Sequence, residues 1–183
     1  LVGGIAPKSL AWPPRLITHS AGDCGRESFL TASTRLINQR GYRGASVEKI
    51  SAELKVTKGS FYHHHEAKDD LVFACFERTH DVLQEIQHAA LAGPGSAGAQ
   101  FASAFASLVD YQMSDHGPLL RTIAMGALPD NLRLKVFERA VRTTERFGAM
   151  MSDGAADGSL RPIDPTIGAQ MVRIAVSASA EMG

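Results

Sequence analysis

Cysteine is scarce in this 183-residue chain: Cys24 and Cys75 are the only two, alongside a single tryptophan. Two cysteines make neither a disulfide framework nor a zinc quartet, so a reducing, cytoplasmic setting is the expectation. No apolar run approaches the ~18–20 residues that a membrane span requires. The opening stretch, LVGGIAPKSLAWPP, has Lys8 inside it and ends on two prolines, so it lacks the apolar centre of a secretory signal. Net charge is missing as well, since nineteen basic residues offset nineteen acidic ones. There is no G-x-S-x-G, no Walker loop and no dinucleotide fingerprint. Hydrolase, nucleotide-dependent and dehydrogenase chemistry therefore have no anchor, and no cofactor is implied.

What is present is ordinary for a globular protein: 44% hydrophobic and 21% charged residues. The length allows one compact unit or two small ones with a real core. The charge is unevenly divided. Residues 26–68 carry eight Lys/Arg against four acids, a net of +4, and residues 69–183 carry a net of −5. A basic third joined to an acidic remainder points to one surface for an anionic polymer and another for something else.

Apolar spacing predicts an all-α fold. Residues 1–25, with seven glycines and prolines, read as an arm or linker in which Trp12 and Leu16 are candidates for docking. From Arg26 the pattern Phe29, Ala32, Leu36, Ile37 is helical and stops at Gly41, a natural C-cap. Ser46 offers the next N-cap, with Glu48 in the first turn, and Val47, Ile50 and Leu54 form an inward stripe. Thr57 caps a following helix over 58–65. A long helix over 68–92 starts with Asp69 and Asp70 and buries Leu71, Cys75, Leu83 and Ile86; in that setting Cys75 is a packed, inert thiol. The run Gly93-Pro94-Gly95-Ser96-Ala97-Gly98 breaks the chain. Further helices are expected over roughly 99–113, from about Pro118 to before Pro129, from Asp130 until Gly154 and Gly158, and from Asp164-Pro165, still running at Glu181. The expected division is an arm over 1–25, a DNA-binding domain over 26–67 and a helical regulatory domain over 68–183.

The helices 47–54 and 58–65, joined by a tight turn, have the skeleton of a helix-turn-helix. An α-helix fits the major groove of B-DNA, where its N-terminal residues meet base edges. On the second helix Lys58, Gly59, Tyr62 and His63 share one face, which is small, basic, aromatic and polar. Phe61 and His65 share the opposite face. Gly59 permits close backbone approach, and the helix starts at Ser46 and Thr57 offer N–H groups suited to phosphate oxygens.

These residues carry a resemblance to the TetR/AcrR family of bacterial transcriptional regulators. It rests on RLINQRGYRGASVEKISAELKVTKGSFYHHHEAKDDLV, residues 35–72. The matching features are the Gly41-Tyr42 pair, Ser46 before Val47 and Ile50, the Val-Thr-Lys-Gly-Ser-Phe-Tyr-His run over 56–63, and the Lys-acid-acid-Leu start over 68–71. The chain departs from the family pattern at His65, where Phe is usual, and at Lys55, where Gly is frequent. The resemblance implies a homodimer on a double-stranded operator, with half-sites roughly 34 Å or a related spacing apart. It implies phosphate contacts from Ser46, Tyr62, His63 and Lys68, and base reading by Thr57, Lys58 and Ser60. It further implies that the C-terminal helices hold the dimer interface and a pocket for a small apolar or amphipathic ligand. Binding there would shift the 68–92 helix and release DNA.

Candidates for the ligand pocket are Phe101, Phe105, Tyr111, Met113, Leu120, Ile123, Met125 and Phe137, with His116 or Arg121 orienting a polar group; core packing uses the same residue types. The triplet His63-His64-His65 is not read as a metal site, because successive helical side chains point about 100° apart. Two other classes compete with a regulator: a helical interaction module that does not read DNA, and an enzyme. Family members normally finish with two long paired helices, where this chain has one from Asp164, and they have little ahead of the first helix. Together with a first residue that is Leu, this suggests a fragment, one version being the second half of a tandem protein.

Overall fold

The computed structural model of the chain describes residues 21–53, Lys55 and 67–179, and among them every regular element is helical. The helices are α1 (Ala21–Gly44), α2 (Val47–Glu53), α3 (Lys68–Leu91), α4 (Ala97–Met113), a 3-10 turn (Thr122–Ala127), α5 (Asp130–Ala156) and α6 (Pro165–Ser179). The expected helix over 58–65 and the docking candidates Trp12 and Leu16 lie outside the described residues. α1 starts five residues before Arg26, inside the stretch read as an arm; prolines stop at Pro14, and Gly22 and Gly25 cost a helix only about 1 kcal/mol each. At Gly41 the backbone leaves helical geometry (φ 69°, ψ 169°), which glycine reaches without a Cβ penalty, and a last short turn runs to Gly44.

Local chemistry fixes the other helix starts. The Ser46 hydroxyl accepts from Lys49 N at 3.4 Å, and Ser96 Oγ accepts from Ala99 N at 3.3 Å. Asp164 Oδ1 accepts from Thr166 N and Ile167 N at 2.9 and 3.0 Å. The Asp70 carboxylate accepts from Ala67 N at 3.0 Å where α3 begins, so these four helix starts pair orphan N–H groups with a side-chain oxygen, whereas α5 starts after Pro129 without a side-chain cap.

Packing divides the described residues between two apolar cores, and α3 belongs to both. Its first half (Leu71, Val72, Cys75, Phe76) joins Phe29, Leu30, Leu36 and Ile37 of α1 and Ile50 of α2. Its second half (Val82, Leu83, Ile86, Ala90) joins Ala104, Leu108 and Tyr111 of α4, Phe147 and Met150 of α5 and Val172 of α6. Burial pushes the Cys75 thiol up to about 11, which suppresses the reactive thiolate.

The expected α-helix from Pro118 to Pro129 does not form. Residues 117–121 run extended and only 122–127 turn, in 3-10 geometry. The reason lies in partners distant in sequence. Leu119 N donates to Gln112 Oε1 at 2.7 Å, Leu120 N to Thr79 Oγ1 at 3.0 Å and Arg121 N to Asn38 Oδ1 at 3.0 Å. Side chains from three helices thus hold these three successive amides and fix the segment in its non-helical path. In an extended strap neighbours face opposite ways: Leu119 packs into the second core and Leu120 into the first. The strap is a rivet between the two.

Candidate nucleic-acid interface and cavity

The candidate DNA-contacting residues Thr57, Lys58, Gly59, Ser60, Tyr62 and His63 lie outside the described residues. The two that are described flank that stretch. Ser46 is half-buried and serves as the cap of α2. Lys68 is half-buried at the start of α3; its Nζ donates to Tyr42 O and sits 4.0 Å from the centre of the Tyr42 ring. Desolvation lowers its pKa, with Asp69 opposing. The Tyr42 hydroxyl donates to Asp69, which with burial pushes the phenol up to about 12. The Gly41-Tyr42 signature therefore has a physical task here: it seats the start of α3 against the end of α1. Arg40, Arg43, Lys49 and Lys55 are exposed on this part of the chain. Lys55 holds φ 54°, the left-handed region, at the position where glycine was noted as frequent.

The 115–121 strap is tied to α1 by more than one residue. Arg35 Nε donates to Gly117 O at 2.9 Å and its Nη2 to Asp115 O at 2.7 Å. Asn38 grips the strap with both ends of its amide, Nδ2 donating to Leu119 O at 2.9 Å while Oδ1 accepts from Arg121 N. Buried Arg78 of α3 pairs with Glu27, donates to Thr31 Oγ1 at 2.9 Å and reaches His116 O at 2.6 Å. Gly117 fits because it has no side chain: a Cβ there would meet Tyr111 O at 2.4 Å and Gln112 O at 2.7 Å.

The strap also lines an open cavity of about 530 Å³ enclosed by α3, the end of α4, α5 and α6. Its walls are apolar in the main: Phe76, Leu83, Leu119, Leu120, Val136, Phe137, Phe147 and Val172 among others. Of the candidate pocket residues, Leu120, Arg121, Met125 and Phe137 line it. Phe101, Phe105, Tyr111, Met113, His116 and Ile123 do not. Phe101 instead packs edge-on against Phe147, 6.4 Å between ring centres, and Phe105 packs beside it on the second core. Tyr111 is buried in that core, Ile123 is 79% exposed, and exposed His116 offers only its backbone oxygen to Arg78.

Sequence reasoning passed over His80, Thr79 and Gln112, all of which line the cavity. His80 lies one turn and a residue after Cys75 on α3, and only the spacing from Leu83 could have signalled that it faces inward. Desolvation, reinforced by nearby Arg139, lowers the His80 pKa to about 4 against the opposing charge of Asp81. Arg139 of α5 itself bridges Glu77 and Asp81 of α3, each at 2.7 Å. No group of side chains among the described residues is arranged to hold a metal ion. No helix among them is long and apolar enough to cross a membrane.

The profile of bacterial regulatory proteins of the tetR family matches residues 29–75. The transposon Tn10 TetC protein of Escherichia coli is 36% identical over 52 residues, 28% of this chain and 26% of TetC. The transcriptional regulator HbdR of Aromatoleum sp. (strain CIB) is 25% identical over 160 residues, 86% of this chain and 67% of HbdR. The chain thus spans about a quarter of the first relative's length and two thirds of the second's. Among solved structures, AibR in complex with isovaleryl coenzyme A and operator DNA superimposes with a TM-score of 0.69 at 23% identity, over 86% of each chain. That likeness is one of fold.

Proposed function

We propose that this chain, which belongs to the tetR family of bacterial regulatory proteins, is a DNA-binding repressor that a small apolar or amphipathic ligand releases from its operator. The observation that carries the reading is the strap. The same three residues, Leu119 to Arg121, line a 530 Å³ cavity and are hydrogen-bonded to Asn38 of α1 and Thr79 of α3. A molecule entering the cavity meets side chains whose backbone is fastened to the helix that opens the tetR-matching segment. Coupling between two sites requires an element that both bias, and the strap with α3 is that element.

In this reading Thr57, Lys58 and Ser60 read bases, while Ser46, Tyr62, His63 and Lys68 meet phosphates, with Gly59 allowing close approach. Lys68 would have to leave Tyr42 O to do so, and exposed Lys49 and Lys55 are additional phosphate partners. Two copies act together on a pseudo-palindromic site. Exposed Ile167, Met171 and Ile174 recur along one face of α6, an apolar face suited to a second copy. HbdR's name speaks of a transcriptional regulator, and we take the chain as one rather than as an enzyme, acting in the cytoplasm on the chromosome. Selection of bound duplexes from a random pool tests this. A regulator enriches one inverted-repeat sequence, whereas an interaction module or an enzyme enriches none.

A further inference from the structure

The cavity wall contains one buried polar side chain with an atom that the fold leaves without a partner. His80 is 6% exposed, lines the cavity, and its Nδ1 is sealed from solvent with no hydrogen-bond partner. Several neighbouring wall groups are already engaged. The Thr79 hydroxyl donates to Cys75 O and accepts from Leu120 N. Gln112 Oε1 accepts from Leu119 N. The Thr143 and Thr144 hydroxyls donate to Arg139 O and Ala140 O, and Gln170 Oε1 takes the Arg173 guanidinium.

A neutral imidazole has one N–H and one lone pair. Desolvation and the Arg139 guanidinium keep this ring neutral at ordinary pH. A buried N–H without a partner is rarer than a buried lone pair without one, so the proton belongs on Nε2 and the sealed Nδ1 keeps its lone pair. Because Nδ1 is closed off, the part of the ring that meets the cavity is the Nε2 edge. His80 is therefore a buried donor at the wall of a chamber that is apolar in the main. The charged lining residues point the same way: Arg121 and Arg173 against Glu145 alone. An ammonium group would find no buried carboxylate among these wall residues, while an oxygen acceptor finds a donor and a positive balance.

We propose that the cavity takes an apolar molecule headed by a carbonyl or carboxylate oxygen, which accepts a hydrogen bond from His80 Nε2 while its body lies against Phe76, Leu83, Val136, Phe147 and Val172. This rests on the reading of the cavity as the ligand site. It adds the chemistry of the head group: neutral or anionic acceptors enter, and cationic heads are refused.

The test uses the whole chain and the neutral fluorescent reporter N-phenyl-1-naphthylamine, displaced by sub-micellar decanoate, 2-decanone or decylammonium. Decanoate and the ketone are expected to displace the reporter at least tenfold more effectively than decylammonium. His80→Phe, which keeps a ring but loses the donor, should weaken decanoate and ketone about tenfold when each is scaled to the variant's own reporter affinity; His80→Met serves if the first variant does not fold. His80→Gln retains an N–H and should stay within threefold of the parent. Equal displacement by all three probes, or unchanged decanoate binding in both His80→Phe and His80→Met, overturns the proposal with the cavity reading intact. Failure of the parent to bind the reporter overturns both.

Discussion

Replacing Asn38 by alanine isolates the link between cavity and DNA-binding segment. The side chain makes two hydrogen bonds to the strap, at 2.9 Å to Leu119 O and 3.0 Å from Arg121 N, at a half-buried position. Each neutral hydrogen bond contributes about 1 kcal/mol net, and a partner left without water costs somewhat more. The loss is therefore about 2–3 kcal/mol in urea unfolding, with an unchanged slope because the surface exposed on unfolding is the same. Stability is the lesser readout. With Asn38 gone, Arg35 still holds Gly117 and Asp115, but the stretch that touches the cavity is untied from α1. DNA should still bind, and the weakening of that binding by decanoate should shrink towards none from the 5–150-fold typical of such coupling. Fluorescence anisotropy of labelled operator with and without decanoate measures it. An Asn38→Ala protein that is fully folded and releases DNA in decanoate just as the parent does refutes the coupling role of the strap.

Other substitutions address other parts of the account. Lys58→Ala and Tyr62→Ala should each weaken operator binding by about 1–3 kcal/mol while thermal unfolding followed by circular dichroism stays at the parent midpoint. His80 makes stability fall in acid. Its folded pKa of about 4 lies below the ordinary 6.5, so the unfolded chain takes up a proton first and stability is lost as pH drops from 6.5 towards 4. Urea unfolding should give about 2 kcal/mol less at pH 5 than at pH 7 from this group, and His80→Gln should remove that difference. Lys55→Gly relieves a left-handed backbone costing about 1–2 kcal/mol but adds glycine's unfolded-state entropy of about 0.5–1 kcal/mol. The net is a gain of up to about 1.5 kcal/mol, read from the urea midpoint.

Helices long enough to repeat an apolar stripe were legible from sequence. Leu71, Cys75, Leu83 and Ile86 recur with the helical period, and all four are buried on α3. Caps were legible for the same local reason, as at Ser46 and Asp164. The strap was not. Pro118 with apolar residues behind it imitates a helix start, and its true partners (Asn38, Thr79 and Gln112) act across up to 83 residues of sequence. The cavity was only half legible. Composition cannot tell Phe101, spent on Phe147, from Phe137, which faces the open space. His80 escaped notice because a single histidine on a helix carries no pattern.

The central claim is that this chain holds duplex DNA specifically and lets go when its cavity fills. The direct measurement is anisotropy of a selected inverted-repeat duplex, titrated with the whole chain at several salt concentrations, with and without decanoate. The account predicts that the logarithm of affinity falls linearly with the logarithm of salt, that unrelated duplexes bind at least a thousandfold more weakly, and that decanoate lowers the specific affinity alone. Equal affinity for both duplexes, or none for either, contradicts it.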